Sequence, residues 1–171
     1  MSAPATALLV ACLALPLIAE AAICSRQSQP HTMALLELYT SEGCSSCPPA
    51  DRWLQELPQK FGPDQLLALS LHVDYWDYIG WKDRFAQPQF SERQRQLSRL
   101  AGGSTVYTPE VFTGMKELRA WRSPAELAQR VKRINEQAAG AQITLLMQPA
   151  AGGAVEVQAS FALAPGMPPR Q

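Results

Sequence analysis

The chain has no net charge, almost no histidine and no apolar run long enough to span a bilayer. Its 15 Lys and Arg residues cancel 15 Asp and Glu residues. Without a basic excess there is no footprint for a polyanion, so no nucleic acid is expected as a partner. The two histidines, His31 and His72, and a single Cys-x-x-Cys pair argue against a closed structural zinc site, which takes four ligands. The longest N-terminal apolar run, Ala7 to Leu15, is too short for a spanning helix. No internal repeat or low-complexity segment is visible.

What is present fits one ordinary domain with a tail. The 171 residues are 47% apolar and 18% charged, enough to bury a core. The 14 prolines fall largely in linkers and in the last residues. Four cysteines occur: Cys12, Cys24, Cys44 and Cys47. Cys12 lies inside the N-terminal apolar run, which is followed by Pro16 and the small-x-small pattern Ala19-Glu20-Ala21. This reads as a signal peptide over residues 1–21, so the mature protein is expected to be periplasmic or secreted, with no stable membrane span after cleavage. The region before the run lacks Lys and Arg, and the alternative is a retained anchor. Bulky Ile23 speaks against lipidation at Cys24. Residues 22–32 read as a flexible lead-in. Cys24 is then a leftover thiol, inert, capped or linked to another molecule.

The stretch Ser41-Glu42-Gly43-Cys44-Ser45-Ser46-Cys47-Pro48-Pro49-Ala50-Asp51 organises the rest. The run Met33–Tyr39 before it reads as a strand. Pro48 to about Phe61 reads as a helix, with Trp53, Leu54, Leu57 and Phe61 on one face. Pro48 and Pro49 are tolerated in the first turn, whose N–H groups have no intrahelical partner. Pro58 predicts a kink or an early end. A cysteine pair at a helix start is placed for redox chemistry: free N–H groups and the helix dipole favour a thiolate. Asp51 works against a very low thiol pKa.

Glu37 interrupts the first strand. It is either an edge residue facing water or a buried acid with a raised pKa. Gln65–Val73 is a second strand, apolar enough to predict burial on both faces. His72 within it reads as a hydrogen-bonded core residue. The aromatic segment Asp74–Trp81 either lines a groove or packs under a long loop. Gln89–Leu100 reads as a helix with a weak apolar stripe. Ser104–Thr113 is extended around Thr108-Pro109, Gly114 turns the chain, and Leu118–Trp121 returns as a paired strand. Ser123-Pro124-Ala125-Glu126 starts a helix that runs to about Ala138. Gln142–Met147 and Ala154–Leu163 form a hairpin outside the main unit. An isolated hairpin is marginal in water, so it packs on the core, pairs with another chain, or belongs to a domain cut short at Gln171.

The order of strand, Cys-x-x-Cys, helix, strand, insertion, Thr-Pro strand, hairpin and helix resembles the thioredoxin fold. The string Leu38 to Asp51, with Val106-Tyr107-Thr108-Pro109, is similar to a family of exported bacterial proteins with a thioredoxin-like core and no assigned function. The likeness covers about Met33 to Ala139. It implies an α/β domain over residues 33–140, with a central mixed sheet flanked by helices. A helical and loop insertion at about 75–103 would precede the cis-proline strand, and a β extension would span 141–171. It implies Cys44 as the exposed nucleophile, Cys47 as the resolving thiol, and Pro109 as a cis-proline facing them. Thr108 and Pro109 would contact a bound peptide, and Glu37 is the candidate proton-transfer acid. Ser45 and Ser46 replace the Gly-Pro of thioredoxin.

The function this predicts is thiol–disulfide exchange, with no cofactor. Its substrate is a protein or small-thiol disulfide, and a further redox partner recycles the protein. One alternative is a copper(I) module held by Cys44 and Cys47. The other is a non-catalytic binding module in which the pair is a permanent staple.

Overall fold

A computed structural model describes residues 23–166; the expected signal peptide over 1–21 lies outside the described residues. The elements in chain order are β1 (Cys24–Gln27), β2 (Ala34–Thr40), α1 (Pro48–Lys60), β3 (Leu66–His72), α2 (Pro88–Leu100), β4 (Glu110–Thr113), β5 (Lys116–Glu117), α3 (Pro124–Asn135), β6 (Ala141–Pro149) and β7 (Val155–Leu163). The fold is mixed α/β with two sheets, ordered β3-β2-β4-β5 and β1-β6-β7. No helix among the described residues is long and apolar enough to cross a membrane.

In the first sheet β2 runs parallel to β3 and antiparallel to β4, with Leu36 opposite Ala68 and Tyr39 opposite Glu110. Gly114 and Met115, both at positive φ, make the tight turn between β4 and β5, the backbone shape a two-residue hairpin requires. Alternation along the strands gives the sheet two faces. Leu36, Leu38 and Val111 face a core with Ala50 and Leu57 of α1 and Leu127 and Val131 of α3. Each of these buried Leu and Val side chains contributes about 1.5–3 kcal/mol. Tyr39 and Phe112 face the other way and pack with Leu71, Val73 and Leu97 of α2, their rings meeting edge to face at 5.9 Å.

Residues at the helix ends explain their positions. Cys47 is the N-cap of α1 and its carbonyl accepts from the Ala50 and Asp51 amides. Pro58 is carried inside the last turn, and the helix ends at Lys60, with Phe61 as its extended C-cap just before Gly62. Ser123 caps α3 by accepting from the Glu126 amide, with Pro124 in the first turn.

Several sequence expectations are revised. β3 is covered on one side only: Leu67 and Leu69 are exposed, because β3 is an edge strand and α2 shields only its C-terminal end. The return strand lies at Lys116–Glu117, ahead of Leu118–Trp121, and α3 stops at Asn135. The segment read as a flexible lead-in contains β1, which pairs antiparallel with β6, Cys24 opposite Met147. The C-terminal hairpin thus becomes a three-stranded sheet. It is tied to the first unit by Arg26 of β1, which pairs with Asp64 at 2.9 Å. One of its faces carries Ile143, Leu145, Met147, Val157 and Phe161, all exposed.

Candidate functional site

Cys44 and Cys47 form a disulfide, their Cα atoms 5.4 Å apart, at the N-terminus of α1. The loop holding them is fixed by its own backbone: the Cys44 amide donates to the Ser41 carbonyl and the Cys47 amide to the Cys44 carbonyl. The Ser41 hydroxyl accepts from the Gly43 amide at 3.1 Å.

Ser46 links the disulfide to the Thr108-Pro109 segment. Its hydroxyl lies 3.4 Å from Cys44 Sγ and donates to the Thr108 carbonyl at 3.3 Å. One hydroxyl has one proton, so the two acceptors compete for it. The Thr108–Pro109 peptide is cis. Thr108 Oγ1 in turn accepts from Trp76 Nε1 at 2.7 Å. These contacts bring Cys44, Cys47, Thr108 and Pro109 into one place.

Cys44 is not the exposed sulfur that the resemblance implies: it is 4% exposed, and Cys47 is fully buried. The segment after β3 is packed against this loop. A methyl group at Gly43 would lie 3.3 Å from both Ile79 Cδ1 and Trp76 Cβ, so the two segments are in close contact there and a side chain would push them apart by a few tenths of an ångström. Asp83, also buried, pins the two segments together. Its carboxylate accepts from the Glu42 amide at 2.8 Å, the Phe85 amide at 2.9 Å and His72 Nδ1 at 2.6 Å. Burial opposes the Asp83 charge, yet these donors outweigh it and hold the carboxyl below the usual range. His72 is therefore the partner of a buried carboxylate at the edge of the site.

Glu37 is buried and paired with Arg93 of α2 at 2.5 Å, which removes the water-facing alternative. Arg93 lies 56 residues away in sequence, so the pairing had no local signal. A second buried acid, Glu110, follows Pro109 directly and lies on the same sheet face. Burial pushes its carboxyl up to about 7, aided by Glu117 and opposed by the Gln94 side chain, the Tyr107 amide region and Arg119. Gln94 Nε2 donates to it at 2.6 Å and to the Tyr107 carbonyl at 2.8 Å. The Tyr75 hydroxyl completes this network by donating to Gln94 Oε1 at 3.2 Å. Sequence reasoning missed Glu110, although a carboxylate in the short apolar strand Glu110-Val111-Phe112-Thr113 is the same signal that drew notice to Glu37. Asp83 gave no such signal.

Among the described residues no group of three or more His, Cys, Asp or Glu side chains is arranged to hold a metal ion. His31 Nε2 is engaged by the Asp64 carbonyl at 3.0 Å. Cys24 is free and exposed on β1.

These observations define a mixed α/β protein with a covered disulfide at a helix start. A family model described as "Protein of unknown function (DUF1223)" matches residues 35–168, and the chain belongs to that family. The crystal structure of protein AGR_C_4864 from Agrobacterium tumefaciens, a structural-genomics target, is similar. It shares 32% identity at a TM-score of 0.54, over 72% of this chain and 59% of that one. The chain thus spans less than two thirds of that protein's length. No curated protein matches it.

Proposed function

We propose that this protein is a periplasmic or secreted thiol–disulfide oxidoreductase with a thioredoxin-like core, acting through Cys44 and Cys47. The four-stranded sheet with α1 and α3 on one face and α2 on the other supports the thioredoxin-like reading. The observation that carries the function is the Ser46 bridge. It leaves a single hydroxyl between the disulfide and the backbone just before Pro109, where an extended substrate would pair with Thr108 and Pro109.

In the reductive direction the Cys44 thiolate attacks one sulfur of a substrate disulfide. A Cys44–substrate bond forms and the other substrate sulfur leaves as a thiolate. The Cys47 thiolate then attacks Cys44 Sγ and expels the remaining substrate sulfur. Two electrons pass to the substrate, and the protons of the two protein thiols end on its sulfurs. The start of α1 favours the thiolate state, and Ser46, freed from the Thr108 carbonyl, can donate its proton to Cys44 Sγ. Glu37, the candidate proton-transfer acid, is engaged by Arg93. A second protein or thiol of suitable potential must recycle the pair.

The test is trapping. Cys47→Ser, incubated with a disulfide substrate, accumulates a mixed disulfide on Cys44, located by peptide mass spectrometry. A variant that forms no adduct while remaining folded overturns the reading.

A further inference from the structure

Resting on the redox reading above, we propose that the Asp74–Asp83 segment, with Trp76 at its centre, selects the substrate. Slender low-molecular-weight disulfides such as glutathione disulfide reach Cys44 faster than disulfides held in proteins do.

The argument starts from access. A thiolate displaces sulfur along the axis of the bond it breaks, so the incoming disulfide must meet Cys44 Sγ directly, and access limits the rate. Cys44 offers 4% of its surface, and Thr108, where a peptide backbone would pair, offers 8%. Both polar groups of Thr108 beyond its amide are already occupied: its carbonyl by Ser46 and its hydroxyl by Trp76 Nε1. A protein strand laid along this segment would have to displace Trp76 first. A small disulfide needs only the sulfur.

The segment is built as a single anchored layer. Its first residue is held by Ser91, which accepts from the Asp74 amide at 3.2 Å and donates to the Asp74 carboxylate. Its last, Asp83, accepts from the Glu42 amide and donates its own amide to the Asp77 carboxylate at 3.1 Å. Between these ends Gly80 takes a left-handed conformation at φ 95°, which closes the short helical turn Asp77–Ile79. Trp76 stacks beneath Tyr78 with ring centroids 6.5 Å apart. Outside that layer Tyr78, Ile79 and Trp81 face solvent. The middle of the layer is held down by the hydrogen bond from Trp76 to Thr108, by those from Tyr75 to Gln94 and from Trp81 to Glu42, and by the packing of Tyr75 and Trp76 on the Tyr39–Phe112 cluster, with Ile79 close over Gly43.

The experiment measures the rates at which reduced wild type, Trp76→Ala and Ile79→Ala are oxidised by glutathione disulfide and by insulin. With glutathione disulfide the balance is one protein dithiol and one disulfide giving one protein disulfide and two glutathione thiols. The expected result is that Trp76→Ala raises the ratio of insulin rate to glutathione rate about tenfold or more, since the hydrogen bond to Thr108 and the packing of the ring on the Tyr39–Phe112 cluster are lost together. Ile79→Ala, at a partly exposed position that does not endanger folding, shifts the ratio in the same direction by a smaller factor. Rates that change by the same factor for both substrates overturn the selection and leave the redox reading standing. A dithiol that neither disulfide oxidises, in any of the three proteins, overturns both.

Discussion

The carboxyl of Glu110 gives the sharpest stability prediction. It is 2% exposed, and burial raises it from 4.5 to about 7. An acid raised in the folded state makes that state the more protonated one. Its contribution is fully present below the unfolded value, falls as pH rises, and is lost once pH passes the folded value. The linkage integral for these two values gives a loss of about 2.5 kcal/mol between about pH 5 and about pH 8. Glu110→Gln removes the ionisation and keeps an oxygen that can accept from Gln94 Nε2, so this part of the slope vanishes. Urea unfolding of the oxidised protein across that window measures it. The variant should match wild type at the acid end and exceed it by about 2–3 kcal/mol at the alkaline end. The remaining titrations are shared by both proteins and cancel in the difference. Parallel stability curves would refute the reasoning and place the Glu110 carboxylate in a solvated or compensated environment.

The Arg93–Glu37 pair lends itself to a double-mutant cycle. Arg93→Ala leaves a buried carboxylate without its partner and should cost about 2–3 kcal/mol, below the value for a fully buried pair because Arg93 is half exposed. The same change on a Glu37→Gln background should cost under about 1 kcal/mol. Asp83→Ala deprives the Glu42 and Phe85 amides and His72 of their acceptor; chemical denaturation should record a loss of about 2–4 kcal/mol. Because the Asp83 carboxyl is depressed, its contribution is present above the unfolded value and disappears as pH falls through the folded one, so the loss should shrink in strong acid. Ser123→Ala removes the cap of α3, and since the bond is long at 3.4 Å, a thermal or urea midpoint should show only about 0.5–1 kcal/mol.

Local chemistry made much of this fold readable. Pro48 and Pro49 mark the start of α1, Ser123 and Pro124 that of α3, and apolar runs mark β2 and β3, because each depends on neighbours within one turn or strand. The cysteine pair and Thr108-Pro109 were legible as residues, and folding brings them together through Ser46. Other features depend on distant partners. β1 forms only because β6, more than a hundred residues on, offers its edge, so Cys24–Gln27 carries no strand pattern of its own. α2 shows a weak apolar stripe because part of its buried face is polar: Ser91, Gln94 and Ser98 are buried there, and they serve Asp74, Glu110 and the Thr105 carbonyl. The cover over Cys44 was invisible for the same reason. The loop Glu42-Gly43 lies far in sequence from Trp76 and Asp83, and no local pattern says that they meet.

Equilibration of the Cys44–Cys47 pair in glutathione buffers of graded ratio, followed by alkylation and mass spectrometry, tests the account at its centre. The prediction is a reversible two-electron couple with a midpoint between about −270 and about −120 mV, the span of working dithiols on this fold. A pair that stays oxidised through the whole series, with a potential below about −300 mV, would be a structural staple and would contradict it.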